Sequence, residues 1–121
     1  MILTLYTEDY FDAAHFLKNY DGKCANLHGH TWKICVWVRG DENQKLPNGI
    51  LWDFGNIKKI ILEFDHKNIN EVLAENPTAE NLTLIIYKKL KLDYSHLQFK
   101  IRVYEKTHPK ESYCETGDFN A

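Results

Sequence analysis

The sequence predicts an α+β fold, in which an antiparallel sheet is covered by helices on one face. Two stretches rich in aromatic and β-branched residues come first, two stretches with helical periodicity follow, and two strand-like stretches end the chain. Strands and helices that occupy separate blocks are typical of this class. We therefore expect a four-stranded antiparallel sheet with two helices on one face, in a single domain over residues 1–121. The expected order is strand, strand, helix, helix, strand, strand.

Composition predicts the first two strands. Residues 2–14 are rich in Leu, Tyr, Thr and Phe, and residues 30–39 combine aromatic and β-branched side chains. Residues 18–27 contain Asn, Asp and Gly and predict the loop that joins these strands. Residues 40–49 predict a second loop for the same reason.

The later elements follow from periodicity. One helical stripe comprises Ile57, Ile60, Ile61 and Phe64, and a second, after Pro77-Thr78, comprises Leu82, Ile85, Ile86 and Leu90. Strand-like alternation returns in residues 98–105, and residues 111–116 predict a short last strand.

Charge and composition exclude several classes of function. A net charge of -2 gives no basic footprint, so we do not expect nucleic acid as a partner. No run of about 18 apolar residues occurs, so we expect no membrane span. Three cysteines without a C-x-x-C spacing argue against a disulfide framework and favour a cytoplasmic location.

Three histidines predict a metal site. His28 and His30 are two residues apart, so a strand would direct both side chains to the same face. His15 ends the preceding strand-like stretch and can return beside them in a hairpin. Three neutral imidazoles suit zinc and leave one coordination position open. The alternative is a pair of satisfied core histidines.

Three further features are candidates for chemistry. Cys24 lies four residues before His28 and becomes a base if a metal or histidine favours its thiolate; otherwise it is an incidental loop cysteine. Asp65 and His66 can form an oriented pair, unless His66 simply interacts with a helix dipole. Glu105 continues an apolar alternation into a position that is either buried and paired or already turned to solvent.

Six motifs occur in order along the chain: Phe11-Asp-Ala-Ala-His15, Cys24-x-x-x-His28-Gly-His30, Trp52-Asp-Phe-Gly55, Phe64-Asp-His66 with Asn70, Asn76-Pro-Thr-Ala-Glu80 and Val103-Tyr-Glu105. In order and spacing they resemble the 6-pyruvoyltetrahydropterin synthase family over roughly residues 2–117. The three residues between Cys24 and His28 are similar to the bacterial 6-carboxy-5,6,7,8-tetrahydropterin synthases of queuosine biosynthesis. The 6-pyruvoyl enzymes usually have a longer gap.

The resemblance implies the tunnelling fold (T-fold) and a homo-oligomer, a hexamer built as a dimer of trimers with active sites between subunits. It implies a zinc-dependent lyase that acts on 7,8-dihydroneopterin triphosphate, a small-molecule substrate. The implied zinc ligands are His15, His28 and His30. The implied catalytic residues are Cys24 as general base with Asp65 and His66, and the implied substrate-binding residues are Glu105, Thr78 and Glu80. Lys18, Lys23 and Lys106 are candidates for the triphosphate by position only.

Two other functions fit the same residues. One is a 6-pyruvoyltetrahydropterin synthase, or another pterin-converting lyase of this fold. The other is a zinc-binding assembly subunit without catalysis, although a structural zinc site needs neither Cys24 nor Glu105.

Overall fold

Five strands form one sheet in the computed structural model, which describes residues 1–121. They are β1 (Ile2–His15), β2 (His28–Asp41), β3 (Lys67–Asn68), β4 (Gln98–Lys106) and β5 (Ser112–Gly117). The spatial order is β3-β1-β2-β4-β5. The pairs β1–β2, β2–β4 and β4–β5 are antiparallel, whereas β3 runs parallel to β1 beside Ala13 and Ala14.

The helices lie together on one face of this sheet. They are α1 (Asn56–Phe64), α2 (Ile69–Val72) and α3 (Ala79–Asp93), and two short 3₁₀ turns span Lys23–Ala25 and Glu42–Gln44. The helical stripes and the facing strand residues form one core, which includes Phe11, Trp32, Val36, Ile61, Phe64, Leu82, Ile86 and Ile101. No helix combines the length and the apolar character that crossing a membrane requires.

The α+β prediction is confirmed, but the counts of strands and helices differ from it. The sheet has a fifth strand, β3, and a third helix, α2, lies between α1 and α3. β3 is two residues long and α2 is four, so neither can display a period-2 or period-3.6 pattern. Both depend on the tertiary contact that brings residues 67–68 alongside β1.

The β1–β2 hairpin positions the candidate metal ligands. Its register pairs His15 with His28 and Ala13 with His30, so the end of β1 lies directly beside the start of β2. The histidines therefore belong to the rigid end of a 14-residue strand pair, although the intervening segment is a loop. β2 begins at His28 rather than at residue 30, the start that composition predicts.

Candidate metal centre and active site

The three histidines converge on one point. One ring nitrogen from each of His15, His28 and His30 lies within 4.8 Å of the other two. The ring centroids are 4.6 Å apart for His15 and His28, 5.2 Å for His15 and His30, and 4.7 Å for His28 and His30. The hairpin register and the two-residue repeat of a strand together produce this arrangement.

Backbone carbonyls fix the tautomers of two of these rings. His15 Nδ1 lies 2.7 Å from the Pro77 carbonyl oxygen, and His28 Nδ1 lies 2.7 Å from the Asn26 carbonyl oxygen. A carbonyl only accepts a hydrogen bond, so each Nδ1 carries the proton and each Nε2 keeps its lone pair. Metal-binding histidines are oriented in this way by their outer hydrogen bonds.

The free nitrogens are buried and have no other partner. The Nε2 atoms of His15, His28 and His30 are all buried without a hydrogen bond. Buried polar atoms normally have a partner, and one bound metal ion would serve all three of these atoms. Three imidazole nitrogens suit zinc and leave a position open for a substrate atom. The residues present therefore fit the metal, and the alternative of satisfied core histidines does not hold.

Burial keeps two of the rings in the form that binds a metal. Desolvation lowers the pKa of His15, although its hydrogen bond to the Pro77 carbonyl acts in the opposite direction. Desolvation also lowers the pKa of His30, and the nearby Glu105 carboxylate opposes that shift. Both rings are therefore neutral near pH 7, as metal coordination requires.

Asp65 and His66 form the oriented pair that the sequence left open. Asp65 Oδ2 lies 3.0 Å from His66 Nδ1, and Asp65 Oδ1 accepts a hydrogen bond of 3.0 Å from the Asp12 N–H. The Asp12 bond, and then the His66 contact, lower the pKa of Asp65, so this carboxyl stays ionised. The exposed His66 ring therefore has its Nδ1 occupied and its Nε2 available to a ligand.

The backbone of His66 has a left-handed conformation, with φ of 59°. Few residues other than glycine adopt this conformation, and functional sites are over-represented among them. The His66 N–H donates to the Asp12 carbonyl over 2.7 Å, which holds the turn against β1. Asp12 is therefore a site residue that sequence reasoning missed. No local pattern links residues that are 53 positions apart.

An open depression is lined both by this pair's His66 and by one candidate metal ligand, His30. It has a volume of about 560 Å³ and is lined by Asp12, Ala13, Ala14, Gly29, His30, His66, Lys67 and Asn68. His30 and His66 thus face the same space. A more enclosed cavity of about 380 Å³ lies between the start of β1 and residues 49–54, and none of the histidines lines it.

Glu105 reaches the metal ligands from β4. Its Oε1 lies 3.4 Å from His30 Nε2, and its side chain is 27% exposed. The contact has no hydrogen-bond geometry, since His30 Nε2 has no hydrogen-bond partner, and the neutral ring forms no ion pair with the carboxylate. Glu105 is therefore half-buried beside the site and is not turned fully to solvent.

The remaining predicted residues are not part of the three-histidine group. Cys24 is half-buried in the turn Lys23–Ala25, and its sulfur does not belong to the three-histidine group. Thr78 is the N-cap of α3, where its Oγ1 accepts from the Asn81 N–H, and Glu80 is exposed in the first turn. The side chains of Lys18, Lys23 and Lys106 are exposed and form no described ion pair.

Comparison with known proteins identifies the family. The model of the 6-pyruvoyl tetrahydropterin synthase family matches residues 4–116. The chain belongs to this family. Its fold agrees with that assignment, because the solved 6-pyruvoyl tetrahydropterin synthase of Caenorhabditis elegans superimposes with a TM-score of 0.72. That comparison covers 96% of each chain at 26% sequence identity.

Curated relatives within the family carry more than one activity name. The 6-carboxy-5,6,7,8-tetrahydropterin synthase of Haemophilus influenzae is 32% identical over 132 residues, covering 87% of this chain and 92% of that protein. The dihydroneopterin monophosphate aldolase of Pyrococcus furiosus is 36% identical over 85 residues, covering 67% of this chain and 68% of that protein. The chain spans 40% of the length of two putative 6-carboxy-5,6,7,8-tetrahydropterin synthases from Pyrococcus horikoshii and Pyrococcus abyssi.

Proposed function

We propose that the chain is a zinc-dependent 6-carboxy-5,6,7,8-tetrahydropterin synthase. It converts 7,8-dihydroneopterin triphosphate and one water molecule to 6-carboxytetrahydropterin, acetaldehyde and triphosphate, in the biosynthesis of queuosine, a 7-deazaguanine nucleoside. The observation that carries this proposal is the convergence of His15, His28 and His30, each with a buried and unpartnered Nε2 atom, and one of them, His30, lines a depression that His66 also lines. The three-residue gap between Cys24 and His28, and the name of the Haemophilus influenzae relative, support the choice of reaction.

The metal has one role in this proposal. His15, His28 and His30 would hold a zinc ion, and that ion would supply Lewis-acid chemistry: polarisation of the substrate's side-chain oxygens, which makes the adjacent C–H bonds more acidic. The Pro77 and Asn26 carbonyls hold the rings of His15 and His28 in the tautomer that leaves Nε2 free for a metal. This preorganisation favours zinc binding, because the rings need not reorient when the metal binds.

Cys24 and the Asp65–His66 pair carry out the proton transfers in this proposal. Cys24 takes a proton from the pterin side chain as general base, which requires its thiolate form. His66 exchanges a proton with the substrate through Nε2, while Asp65 fixes Nδ1 and stabilises the charged ring. The ionised state of Asp65 supports this role.

Glu105 binds the pterin ring in this proposal. Its carboxylate can accept two hydrogen bonds from an N–H and an amino group that lie side by side on the ring. Thr78 and Glu80 border the ring pocket from the start of α3. Lys18, Lys23 and Lys106 are the candidates for the triphosphate.

We also propose that the chain works as a homo-oligomer, a hexamer formed as a dimer of trimers. Both outer edges of the sheet support this proposal. β1 pairs with β3 only at Ala13 and Ala14, and β5 pairs only with β4. Unpaired strand edges readily pair with other chains, and head-to-tail contacts that close give rings.

Incubation with 7,8-dihydroneopterin triphosphate and zinc tests the reaction. We expect acetaldehyde, triphosphate and 6-carboxytetrahydropterin, and metal analysis of the purified protein should find about one zinc per chain. A 6-pyruvoyl product would replace the proposal with the 6-pyruvoyl reaction. Release of a two-carbon fragment that still carries phosphate would indicate an aldolase, as in the Pyrococcus furiosus relative. Zinc binding without turnover of any pterin would indicate an assembly subunit.

A further inference from the structure

Two asparagine side chains continue the outer edge of β1 beyond its last residue. Asn70 Oδ1 accepts from the Phe16 N–H over 2.8 Å, and its Nδ2 donates to the Phe16 carbonyl over 3.0 Å. Asn76 binds Lys18 in the same way: its Oδ1 accepts from the Lys18 N–H over 2.9 Å, and its Nδ2 donates to the Lys18 carbonyl over 3.1 Å. A carboxamide offers the same donor and acceptor as a peptide group. Residues 16–18 are therefore held as a strand would be, although no strand lies beside them.

The opposite edge of the same segment holds the turn that carries Cys24. Backbone groups of successive residues in an extended chain point to opposite edges. Phe16 and Lys18 thus face the two asparagines, while the Leu17 N–H donates to the Cys24 carbonyl over 2.7 Å. The position of Cys24 therefore depends on a three-residue segment that the two asparagines fix from the other side.

The anchor of Asn76 also orients a metal ligand. Pro77 follows Asn76 directly, and its carbonyl accepts from His15 Nδ1. Asn76 itself is fixed, because its carbonyl accepts from the Thr78 N–H and from Asn81 Nδ2, each over 2.8 Å. Pro77 thus contacts His15 directly. Asn76 acts on Cys24 indirectly, because it holds Lys18, whose neighbour Leu17 binds the Cys24 carbonyl.

We infer that Asn76 is a positioning residue that sets where Cys24 lies relative to the metal ligands, with Asn70 as a second clamp on the same segment. The assignment of Cys24 as the base rests on the proposed function, but the clamp itself does not. Loss of the Asn76 side chain frees Lys18 and loosens the Leu17–Cys24 contact. It leaves the Pro77 carbonyl on His15, so zinc should remain bound.

Alkylation of Cys24 tests the clamp without substrate. We expect Asn76→Ala in the full-length protein to raise the iodoacetamide reaction rate of Cys24 at least fivefold, measured by peptide mass spectrometry. Cys114 in β5 serves as the internal reference, and its rate should not change. Asn70→Ala should also raise the rate, because Asn70 holds Phe16 on the other side of Leu17. Asn48→Ala is the matched control, since the Asn48 side chain accepts only from Ile50 in its own loop.

Kinetics and metal content complete the test. A misplaced base should lower kcat by about 10- to 100-fold, as loss of an outer-shell partner typically does, with KM changed less than threefold and zinc still near one per chain. An unchanged Cys24 alkylation rate, or loss of zinc together with kcat, would overturn the inference. If Asn76→Ala does not fold, Asn76→Asp replaces it, because the carboxylate keeps the acceptor for the Lys18 N–H and loses only the donor to the Lys18 carbonyl. The Cys24 alkylation rate and kcat of that variant then test the inference in the same way. Failure of the proposed reaction leaves the alkylation result valid, so the two failures are distinguishable.

Discussion

Two histidines of the candidate metal centre, His15 and His28, depend on hydrogen bonds that the sequence does not reveal. The spacing of His28 and His30 predicts a shared face, and the hairpin brings His15 to it. The carbonyls that select the tautomers belong to Asn26 and Pro77, one of them 62 residues from its histidine. The convergence of the three histidines could thus be predicted from the sequence. The tautomers of His15 and His28 could not, because they depend on backbone carbonyls, which every residue type carries.

Replacement of Cys24 separates metal binding from catalysis. Cys24→Ala should leave zinc content unchanged, because the sulfur is not part of the three-histidine group. Turnover of 7,8-dihydroneopterin triphosphate should fall at least about 100-fold, since a general base typically contributes 10²- to 10⁴-fold. The measurement is kcat with zinc determined on the same sample. Cys114→Ala is the control and should retain full activity. Equal activity of the two variants would contradict the role of Cys24 as base.

The oriented pair Asp65–His66 depends on contacts between elements. The adjacency of the two residues does not imply that their side chains meet. They meet because the Asp12 backbone binds both Asp65 and His66 and holds the left-handed turn after α1. The long, periodic elements α1, α3 and β4 could be predicted, since each displays its buried face in the sequence. β3, α2 and this turn could not, because tertiary contacts define them over two to four residues.

The end of β5 is tied to α3 and β4 through one carboxylate. Asp118 accepts hydrogen bonds from the Tyr87 hydroxyl and, over 2.9 Å, from the Phe99 N–H, and lies 3.2 Å from Lys91 Nζ. Partial burial alone would raise the pKa of Asp118, but these three partners together lower it. A lowered pKa in the folded state means that the stabilisation is present above the unfolded pKa and is lost as pH falls through the folded value.

Asp118→Asn should therefore destabilise the protein in a pH-dependent way. At pH 7 we expect a loss of about 1.5–3 kcal/mol in the free energy of unfolding, the range for hydrogen bonds to charged groups. The difference from the unmodified protein should shrink as the pH falls below about 4, the usual aspartate value. Urea denaturation at pH 7 and pH 3 measures it. Asp21→Asn, at an exposed loop aspartate, is the control. A loss of equal size at both pH values would contradict the assignment.

At the scale of the whole molecule, the sheet has two free edges. On β1 the Asp12 N–H and carbonyl both point to the outer edge, where Asp65 and His66 bind them. Because this orientation repeats every two residues, Thr4, Tyr6 and Glu8 also direct their backbone groups outward. β3 lies beside Ala13 and Ala14 only, so no strand of the chain pairs with these groups. The outer edge of β5 is uncovered as well. One chain therefore presents two edges that can pair with those of its neighbours.

A proline at one of the outward positions tests this assembly. Proline is tolerated on an edge strand where its missing N–H faces solvent, and it blocks pairing where another strand would bind that N–H. Thr4→Pro should therefore leave a folded chain by circular dichroism but lower the mass measured by light scattering from a multiple of 14.3 kDa towards the single chain. Thr4→Ala loses the same hydroxyl contact to Arg39 but keeps the N–H, so it should assemble normally. Full assembly of Thr4→Pro would show that neighbouring chains do not pair along this part of β1. In the proposed hexamer, dissociation should also reduce activity, because active sites between subunits are lost with their interfaces.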